Sequence, residues 1–426
     1  MIVEFSVKNF KSIKDMQTLN MTAASIISKY KEIDKKNTLQ ISDKLSLLKC
    51  KAIYGANASG KSNILNALST FIAITHTSVK DNNTLEKLSS FRLSTETENE
   101  PTFFQLTFIV DNILYRYGFE ANNKKIFSEW LFGCPGKKEV PFFTREEGQI
   151  DVNKTQFKEG AKIMNLYKSD GNDIARENSL FLTTVSALNG KISKELINNI
   201  SAIGVIPGLS VKFMRDYAKD SLKDQKLKLL ITDLLKIADT GIGNITRIEF
   251  TKEDLPKDAP SELIEALEEG KSHTIIVTEH KKFDAKQKDV KSIFFALSDE
   301  SEGSNKMFEL SPFILDAIRH KRVLVIDEFD ARFHPLLTKR LVEFFNSDAN
   351  EGAQFIFATH DTNLLNAKLL RRDQICFVEK DKYGASHLYD LVSFKGIRND
   401  ASLEKDYIAG KYGAIPFIGD FKSIIE

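Results

Sequence analysis

The chain has 426 residues, of which 42% are hydrophobic and 28% are charged. This composition predicts a globular protein with substantial cores and roughly two or three structural units. Its 60 basic and 59 acidic side chains give a net charge of +1. That balance excludes an overall signature of nucleic-acid binding, although it leaves a local basic groove open.

Three scattered cysteines, Cys50, Cys134 and Cys376, offer neither a disulfide framework nor a zinc site. The first residues lack the layout of a signal peptide. No apolar run approaches the roughly 20 residues that span a bilayer. We therefore expect a cytoplasmic protein that has no membrane partner.

The first chemical motif lies between a predicted strand at residues 47–54 and a predicted helix with apolar residues from Ile64 to Ile72. Strand, glycine-rich loop and helix is the arrangement of a P-loop, whose backbone N–H groups surround phosphate oxygens. Lysine neutralises phosphate charge there, and serine holds magnesium. A solvated glycine turn is the alternative. The motif predicts a site for ATP and Mg²⁺ formed by Gly55, Asn57, Ala58, Ser59, Gly60, Lys61, Ser62 and Asn63.

The middle of the chain carries no chemical motif. Apolar runs at 103–110 and 113–119 predict an antiparallel hairpin. Residues 155–240 are lysine-rich with helical periodicity, and 251–272 predict an exposed connection before a second hairpin at 274–297. We expect three domains: an ATPase lobe at 1–135, a helical insert with a β-hairpin at 136–290, and a second ATPase lobe at 291–426. The leucine stripe at 222–235 either docks a protein partner or packs within its own domain.

A second phosphate-chemistry motif begins with the apolar strand Val323–Ile326 and ends in two carboxylates, Asp327 and Glu328. This is the form of a Walker B element. Asp327 follows Lys61 by 266 residues, which indicates an ATPase head interrupted by a long insertion. The pattern assigns magnesium binding to Ser62 and Asp327, and polarisation of the attacking water to Glu328.

Three further elements surround this strand. Ser301 and Gly303 open a predicted helix, which alone is typical of an ordinary N-cap. Asp330 lies in a loop directly after the strand, and His360 ends an apolar strand 33 residues past Asp327. His334 competes with His360 as the switch histidine, which senses the γ-phosphate of ATP. However, His334 lies in the same loop as Asp330.

In the order of these motifs the chain resembles the AAA-15/AAA-21 group of ABC-type ATPases, related to the heads of OLD-family and SMC-like proteins. The resemblance covers roughly residues 1–135 and 290–426, including Val7–Ser12 and Lys411–Pro416. It implies an α/β fold with a mixed central sheet, an antiparallel β-subdomain and a largely helical insert. It also implies catalysis by Lys61, Glu328 and His360.

The same resemblance implies a homodimer or higher oligomer with ATP between two heads. Ser301, Gly303 and Asp330 would then complete the nucleotide site of a second subunit. Proteins of this group often resemble components of bacterial antiphage or abortive-infection systems that are encoded beside a nuclease or another toxic effector.

Three functions remain in competition. The first is an ATP hydrolase that switches a partner effector in antiphage defence. The second is a DNA-associated ATPase that assists a nuclease. A transporter subunit is the third, and it is disfavoured because the insertion is long and no Q-loop can be placed.

Overall fold

The computed structural model describes residues 1–168, 175–209, 211–251, 254, 273–397, 402–416 and 419. The chain forms two compact units. The first unit comprises residues 1–208, 317–330 and 338–426, and the second comprises 209–316 and 331–337.

Strands and helices are numbered in chain order. The strands are β1 Ile2–Lys8, β2 Gln17–Asn20, β3 Thr38–Ser42, β4 Leu45–Leu48, β5 Cys50–Tyr54, β6 Thr102–Val110, β7 Ile113–Ala121, β8 Ile126–Cys134, β9 Val140–Glu146, β10 Gln149–Val152, β11 Gly204–Ile206, β12 Asn244–Phe250, β13 His273–Phe283, β14 Asp289–Ala296, β15 Val323–Ile326, β16 Gln354–Ala358, β17 Ile375–Lys380 and β18 Ser386–Asp390. The helices are α1 Lys31–Lys36, α2 Lys61–Thr77, α3 Lys158–Lys168, α4 Phe181–Ala187, α5 Lys191–Ser201, α6 Lys212–Ser221, α7 Gln225–Ile237, α8 Glu302–His320, α9 Pro335–Asn346 and α10 Leu403–Ile408. Short 3₁₀ helices span Thr84–Lys87, Leu297–Asp299, Thr362–Leu364, Arg372–Gln374 and Leu391–Ser393.

A six-stranded mixed sheet forms the centre of the first unit, in the order β11-β15-β16-β5-β17-β18. Five neighbouring strands of this sheet, β11, β15, β16, β5 and β17, are mutually parallel, and β18 is antiparallel to β17. Every residue of β5, β15 and β16 is buried, as expected for parallel strands that are covered on both faces. The carboxyl ends of these strands therefore lie along one edge of the sheet.

Two elements of this region differ from the sequence prediction. The strand predicted at 47–54 is two strands, because β4 pairs with β3 and β5 joins the mixed sheet after Lys49. The helical pattern of the middle segment also hides β11, which pairs in parallel with β15. A strand of three residues has too little sequence to show a period of two.

A seven-stranded antiparallel sheet, in the order β10-β9-β8-β7-β6-β1-β2, forms the other layer of the first unit. The predicted hairpin is present as β6 and β7, and both turn residues, Asp111 and Asn112, have positive φ angles of 47° and 62°. Asx residues tolerate this conformation better than most others. Strands β9 and β10 extend the same sheet, and the first unit continues to residue 208.

Helix α2 contributes to the core that contains residues of both sheets of the first unit. The ring of Phe71 lies 5.6 Å from that of Phe119 and 6.2 Å from that of Phe104. All three side chains are fully buried. Burial of one such side chain contributes about 1.5–3 kcal/mol, and the core holds the helix that follows the P-loop in a fixed place.

The second unit contains α6, α7 and the beginning of α8 together with a three-stranded sheet, β12-β13-β14. The predicted hairpin is present as β13 and β14, and β12 adds a third strand to it. Along the leucine stripe Ile231 and Leu235 are buried and Leu229 is 56% exposed, and Ile237, just beyond the stripe, is 81% exposed. The exposed connection predicted at 251–272 lies outside the described residues, apart from 251 and 254.

An α/β fold with a mixed central sheet and an antiparallel sheet is therefore confirmed. Within the described ranges no helix combines the length and the hydropathy that crossing a membrane requires.

Candidate functional site

The carboxyl edge of the mixed sheet brings the predicted motifs of the first unit together. The P-loop follows β5, the two carboxylates Asp327 and Glu328 follow β15, and His360 follows β16. In the sheet, β15, β16 and β5 are direct neighbours. Open α/β sheets bind ligands outside the carboxyl ends of their strands, and this edge is the candidate site.

The glycines of the P-loop are required by its backbone. Gly60 has a φ angle of +110°, and Ala58 has one of 62°. At Gly55 an added Cβ would lie 2.4 Å from the carbonyl oxygen of Val378 in β17. Only glycine allows this close approach of the loop to the neighbouring strand.

Lys61 begins α2 directly after the loop, with only 7% of its surface exposed. Its Nζ donates hydrogen bonds to the carbonyl oxygens of Gly55, at 2.8 Å, and Ala56, at 3.1 Å. Burial lowers the pKa of Lys61, while three nearby carboxylates oppose this shift. In decreasing order of effect they belong to Asp327, Asp330 and Glu328.

Two serines that are far apart in the sequence, Ser12 and Ser386, form hydrogen bonds with the P-loop and with each other. The Oγ of Ser386 lies 2.6 Å from the carbonyl oxygen of Ser59 and 2.8 Å from the Oγ of Ser12. Asn63 donates its side-chain N–H to the same Ser12 oxygen at 2.7 Å. Asn63 therefore has a structural contact in addition to its predicted role. Ser12 belongs to the opening motif Val7–Ser12, but no sequence signal identifies Ser386.

The two carboxylates at the end of β15 have different environments. Asp327 is half-buried, and its Oδ1 accepts the backbone N–H of Glu328 at 3.1 Å. Glu328 is exposed and has a φ angle of 48°. This left-handed conformation costs about 1–3 kcal/mol in a residue other than glycine and persists where the surroundings impose it.

Gly208 is part of those surroundings, and sequence reasoning missed it. A Cβ at this position would lie 2.0 Å from the carbonyl oxygen of Asp327 and 2.2 Å from that of Glu328. The carbonyl oxygen of Ile206, in the preceding strand β11, accepts a hydrogen bond from the backbone N–H of Asp327 at 3.0 Å. The pair Pro207-Gly208 gives the only sequence hint, and it is no more than a turn signal.

His360 follows Thr359 at the end of β16. Its backbone N–H donates to Oδ1 of Asp330 at 3.1 Å. Partial burial of the ring and then the ammonium of Lys61 lower the pKa of His360, and the nearby carboxylates oppose this shift. Both effects favour the neutral imidazole, which can accept a proton or a hydrogen bond.

Asp361, the residue after His360, accepts two hydrogen bonds from other elements of the first unit. The carbonyl oxygen of Asp361 accepts the hydroxyl of buried Tyr54 at 3.1 Å, and its Oδ2 accepts the hydroxyl of Thr338 at 2.8 Å. Because Tyr54 is the last residue of β5, this contact connects the His360 segment to the strand that precedes the P-loop.

The residues present fit a nucleotide with magnesium. The Oγ of Ser59 is buried and has no hydrogen-bond partner among the described residues, which suits a loop whose polar groups contact phosphate. The carboxylate of Asp327 and the hydroxyl of Ser62 are oxygen ligands of the kind that Mg²⁺ prefers, usually with phosphate and water as its remaining ligands. Among the described residues no group of three or more His, Cys, Asp or Glu side chains forms a metal site of its own.

The remaining predicted residues lie in the second unit. The Oγ of Ser301 accepts the backbone N–H of Ser304 at 3.1 Å, so Ser301 caps the start of α8. A Cβ at Gly303 would lie 3.0 Å from the carbonyl oxygen of Arg332. The Nδ1 of His334 accepts the backbone N–H of Leu336 at 3.2 Å, which gives this competing histidine a capping role. Contact of Ser301, Gly303 and Asp330 with a second subunit stays a prediction.

The family model described as "AAA domain, putative AbiEii toxin, Type IV TA system" matches residues 51–163 and 173–366. No curated protein matches the sequence significantly. The chain is similar in structure to an Smc head bound to the C-terminal winged-helix domain of ScpA, with 15% identity, a TM-score of 0.43, and coverage of 95% of this chain and 99% of that chain. It is also similar to the SMC head domain from Thermotoga maritima, with 14% identity, a TM-score of 0.40, and coverage of 91% and 98%.

The family match covers both phosphate-chemistry motifs and most of the residues between them. The P-loop, the carboxylates after β15 and His360 all lie within it, which agrees with a nucleotide-binding ATPase. The chain belongs to the AAA-domain family of AbiEii type, a family of P-loop ATPases.

Proposed function

We propose that the chain is a magnesium-dependent ATP hydrolase whose nucleotide state switches a partner effector in the bacterial cytoplasm. One observation carries this proposal. The P-loop after β5 and the carboxylates after β15 lie at the same sheet edge, and the carboxylates of Asp327, Asp330 and Glu328 oppose the lowering of the pKa of Lys61. Phosphoryl transfer requires this combination of a phosphate cradle, a magnesium ligand and a water-positioning carboxylate.

The residues have distinct roles in the proposed reaction. Backbone N–H groups from Asn57 to Ser62 and the ammonium of Lys61 bind phosphate oxygens. Ser62 and Asp327 hold Mg²⁺, which neutralises phosphate charge when it is bound. Glu328 orients and polarises the attacking water, and neutral His360 orients the terminal phosphate by a hydrogen bond.

Pairing of two subunits is the second part of the proposal. Ser301 and Gly303 begin α8, and a helix start that combines unpaired N–H groups with the helix dipole favours phosphate. In the proposed dimer each α8 start contacts the nucleotide of the other subunit, together with Asp330. ATP then holds two heads together, and hydrolysis releases them.

The third part is the effector. The family description refers to a putative toxin and to a type IV toxin–antitoxin system, which supports a role in such a two-protein system. The proposed role is antiphage defence, with a toxic protein such as a nuclease as the effector. Helix α7 offers a docking face, because Leu229 and Ile237 are exposed among lysines. Charge reversal of Lys223, Lys226 and Lys228 together should then abolish control of the effector while ATP turnover stays unchanged.

Three single variants test the hydrolase. Lys61→Ala should weaken nucleotide binding, because it removes the charge inside the P-loop. Glu328→Gln should bind ATP normally and hydrolyse it about 10²–10⁴-fold more slowly, which is the usual contribution of one acid–base group. Lys80→Ala, at an exposed lysine after α2, is the matched control. Isothermal titration and phosphate release measure the two effects, and unchanged turnover in both site variants would refute the proposal.

A further inference from the structure

The sheet of the second unit extends into a two-stranded ribbon. Strand β12 pairs with β13 only as far as Glu279. Pairing of β13 with β14 continues beyond that residue to Phe283 and Asp289. Every residue from 281 to 292 is exposed, so the end of the hairpin projects from the three-stranded sheet.

Lysine dominates this ribbon. Positions 281–291 contain five lysines and two aspartates. One aspartate, Asp284, has a structural role, since its Oδ1 accepts the backbone N–H groups of Lys286 and Lys288 at 2.8 and 2.9 Å and shapes the turn. The other, Asp289, forms an ion pair with Lys281 at 3.3 Å. An excess of positive charge remains on the ribbon.

The register places two of these lysines face to face. Lys282 of β13 is the direct cross-strand partner of Lys291 of β14. Like charges in this position destabilise an antiparallel pair. In the part of the chain that the structure describes, neither lysine has a carboxylate within ion-pair distance. A bound polyanion would relieve the repulsion, whereas a hairpin selected for stability alone would carry opposite charges here.

We propose that this lysine ribbon, residues 280–293, binds double-stranded DNA with its two strands in the major groove. The major groove of B-DNA is about 12 Å wide and admits a two-stranded β-ribbon. The deep and narrow major groove of A-form RNA does not. Lysine ammonium groups contact phosphates as point charges, and most of the affinity is therefore expected to be independent of base sequence.

Exposed apolar residues on the ribbon agree with a groove-facing surface. Phe283 is 55% exposed and Val290 is 57% exposed, and both lie near the turn. Apolar side chains in the major groove contact thymine methyl groups. The base of the ribbon is anchored within the second unit, where His280 Nε2 lies 2.7 Å from Glu300 Oε1.

The test is binding of a fluorescein-labelled DNA duplex of about 30 base pairs by the full chain, followed by fluorescence anisotropy from about 50 to 200 mM salt. The double variant Lys282→Glu/Lys291→Glu should bind at least about tenfold more weakly. The slope of log K against log salt should become shallower by about 0.9 for each phosphate that the variant no longer neutralises. The control Lys137→Glu/Lys138→Glu makes the same charge change at exposed residues between β8 and β9 and should bind like the wild type.

The single variant Lys282→Glu separates binding from stability. It places a carboxylate opposite Lys291, so the melting temperature should stay equal or rise while DNA affinity falls. ATP turnover should be unchanged in each variant, which distinguishes failure of this inference from failure of the proposed hydrolase. Equally weakened binding in the control variant, equal lysine-dependent binding of an RNA duplex, or binding only to anionic phosphatidylserine vesicles or an acidic protein would each overturn the proposal.

Discussion

The backbone amide of His360 donates a 3.1 Å hydrogen bond to Oδ1 of Asp330, across the space between the ends of β16 and β15. The carboxylate of Asp330 also opposes the lowering of the pKa of Lys61 by burial. One carboxylate thus contacts the segment that carries the proposed switch histidine and lies near the lysine of the P-loop. We expect Asp330 to position His360.

Asp330→Ala should lower kcat by about 10–100-fold, as is typical when a supporting hydrogen-bond partner is removed from a site. Asp330→Asn should restore most of kcat, because its side-chain oxygen still accepts the amide of His360. Steady-state kinetics measure kcat for both variants. An equal fall of kcat in the two would show that the charge of Asp330 matters and not its hydrogen bond to His360.

The pH dependence of turnover should report the lowered pKa of His360. Its ordinary value is 6.5, and partial burial together with Lys61 lowers it. The neutral ring should therefore persist below pH 6.5, and turnover should fall only when the pH drops through the lowered pKa. His360→Asn should show low turnover without this inflection, and an inflection above pH 6.5 in the wild type would contradict the assignment.

The same shift affects stability. Because the folded-state pKa lies below that of the unfolded chain, the unfolded state binds more protons in this window. The contribution of His360 to the free energy of unfolding is present above pH 6.5 and is lost as the pH falls through the folded-state pKa. Urea denaturation of the wild type and of His360→Asn across this range measures the difference.

Gly208→Ala should disturb the carboxylates after β15. The new methyl group would lie 2.0 Å from the carbonyl oxygen of Asp327, so the backbone must shift. Overpacking of this kind costs about 1–3 kcal/mol, and turnover should fall with stability. Gly136→Ala is the matched control, because no atom lies within 4 Å of its added methyl. Similar melting temperatures and turnover for both variants would show that the close approach is unimportant.

ATP should convert the Glu328→Gln variant from monomer to dimer, measured by light scattering. Addition of Ser301→Arg should prevent this dimer, because a bulky cation would replace the small cap at the start of α8. Thr155→Arg introduces the same side chain at an exposed loop residue and should leave dimerisation intact. A monomer with and without ATP, together with normal turnover in Ser301→Arg, would exclude a shared site.

Local sequence was sufficient where one short segment contains all the required information. The strand, glycine loop and helix around Lys61 are contiguous, and φ angles of 62° at Ala58 and 110° at Gly60 occur inside the motif itself. The apolar strand that ends at Asp327 is equally local. The Asp111-Asn112 turn was predictable because its residue types favour positive φ.

The tertiary structure decided the contacts that join distant segments. Ser386 lies 327 residues after Ser59, yet their atoms are 2.6 Å apart. Gly208 meets Glu328 only because β11 pairs with β15. Strand order depends on hydrogen bonds between backbones, which are the same for every residue type except proline. The sequence by itself therefore identified the candidate residues for phosphate chemistry, and long-range strand pairing decided which other residues lie against them.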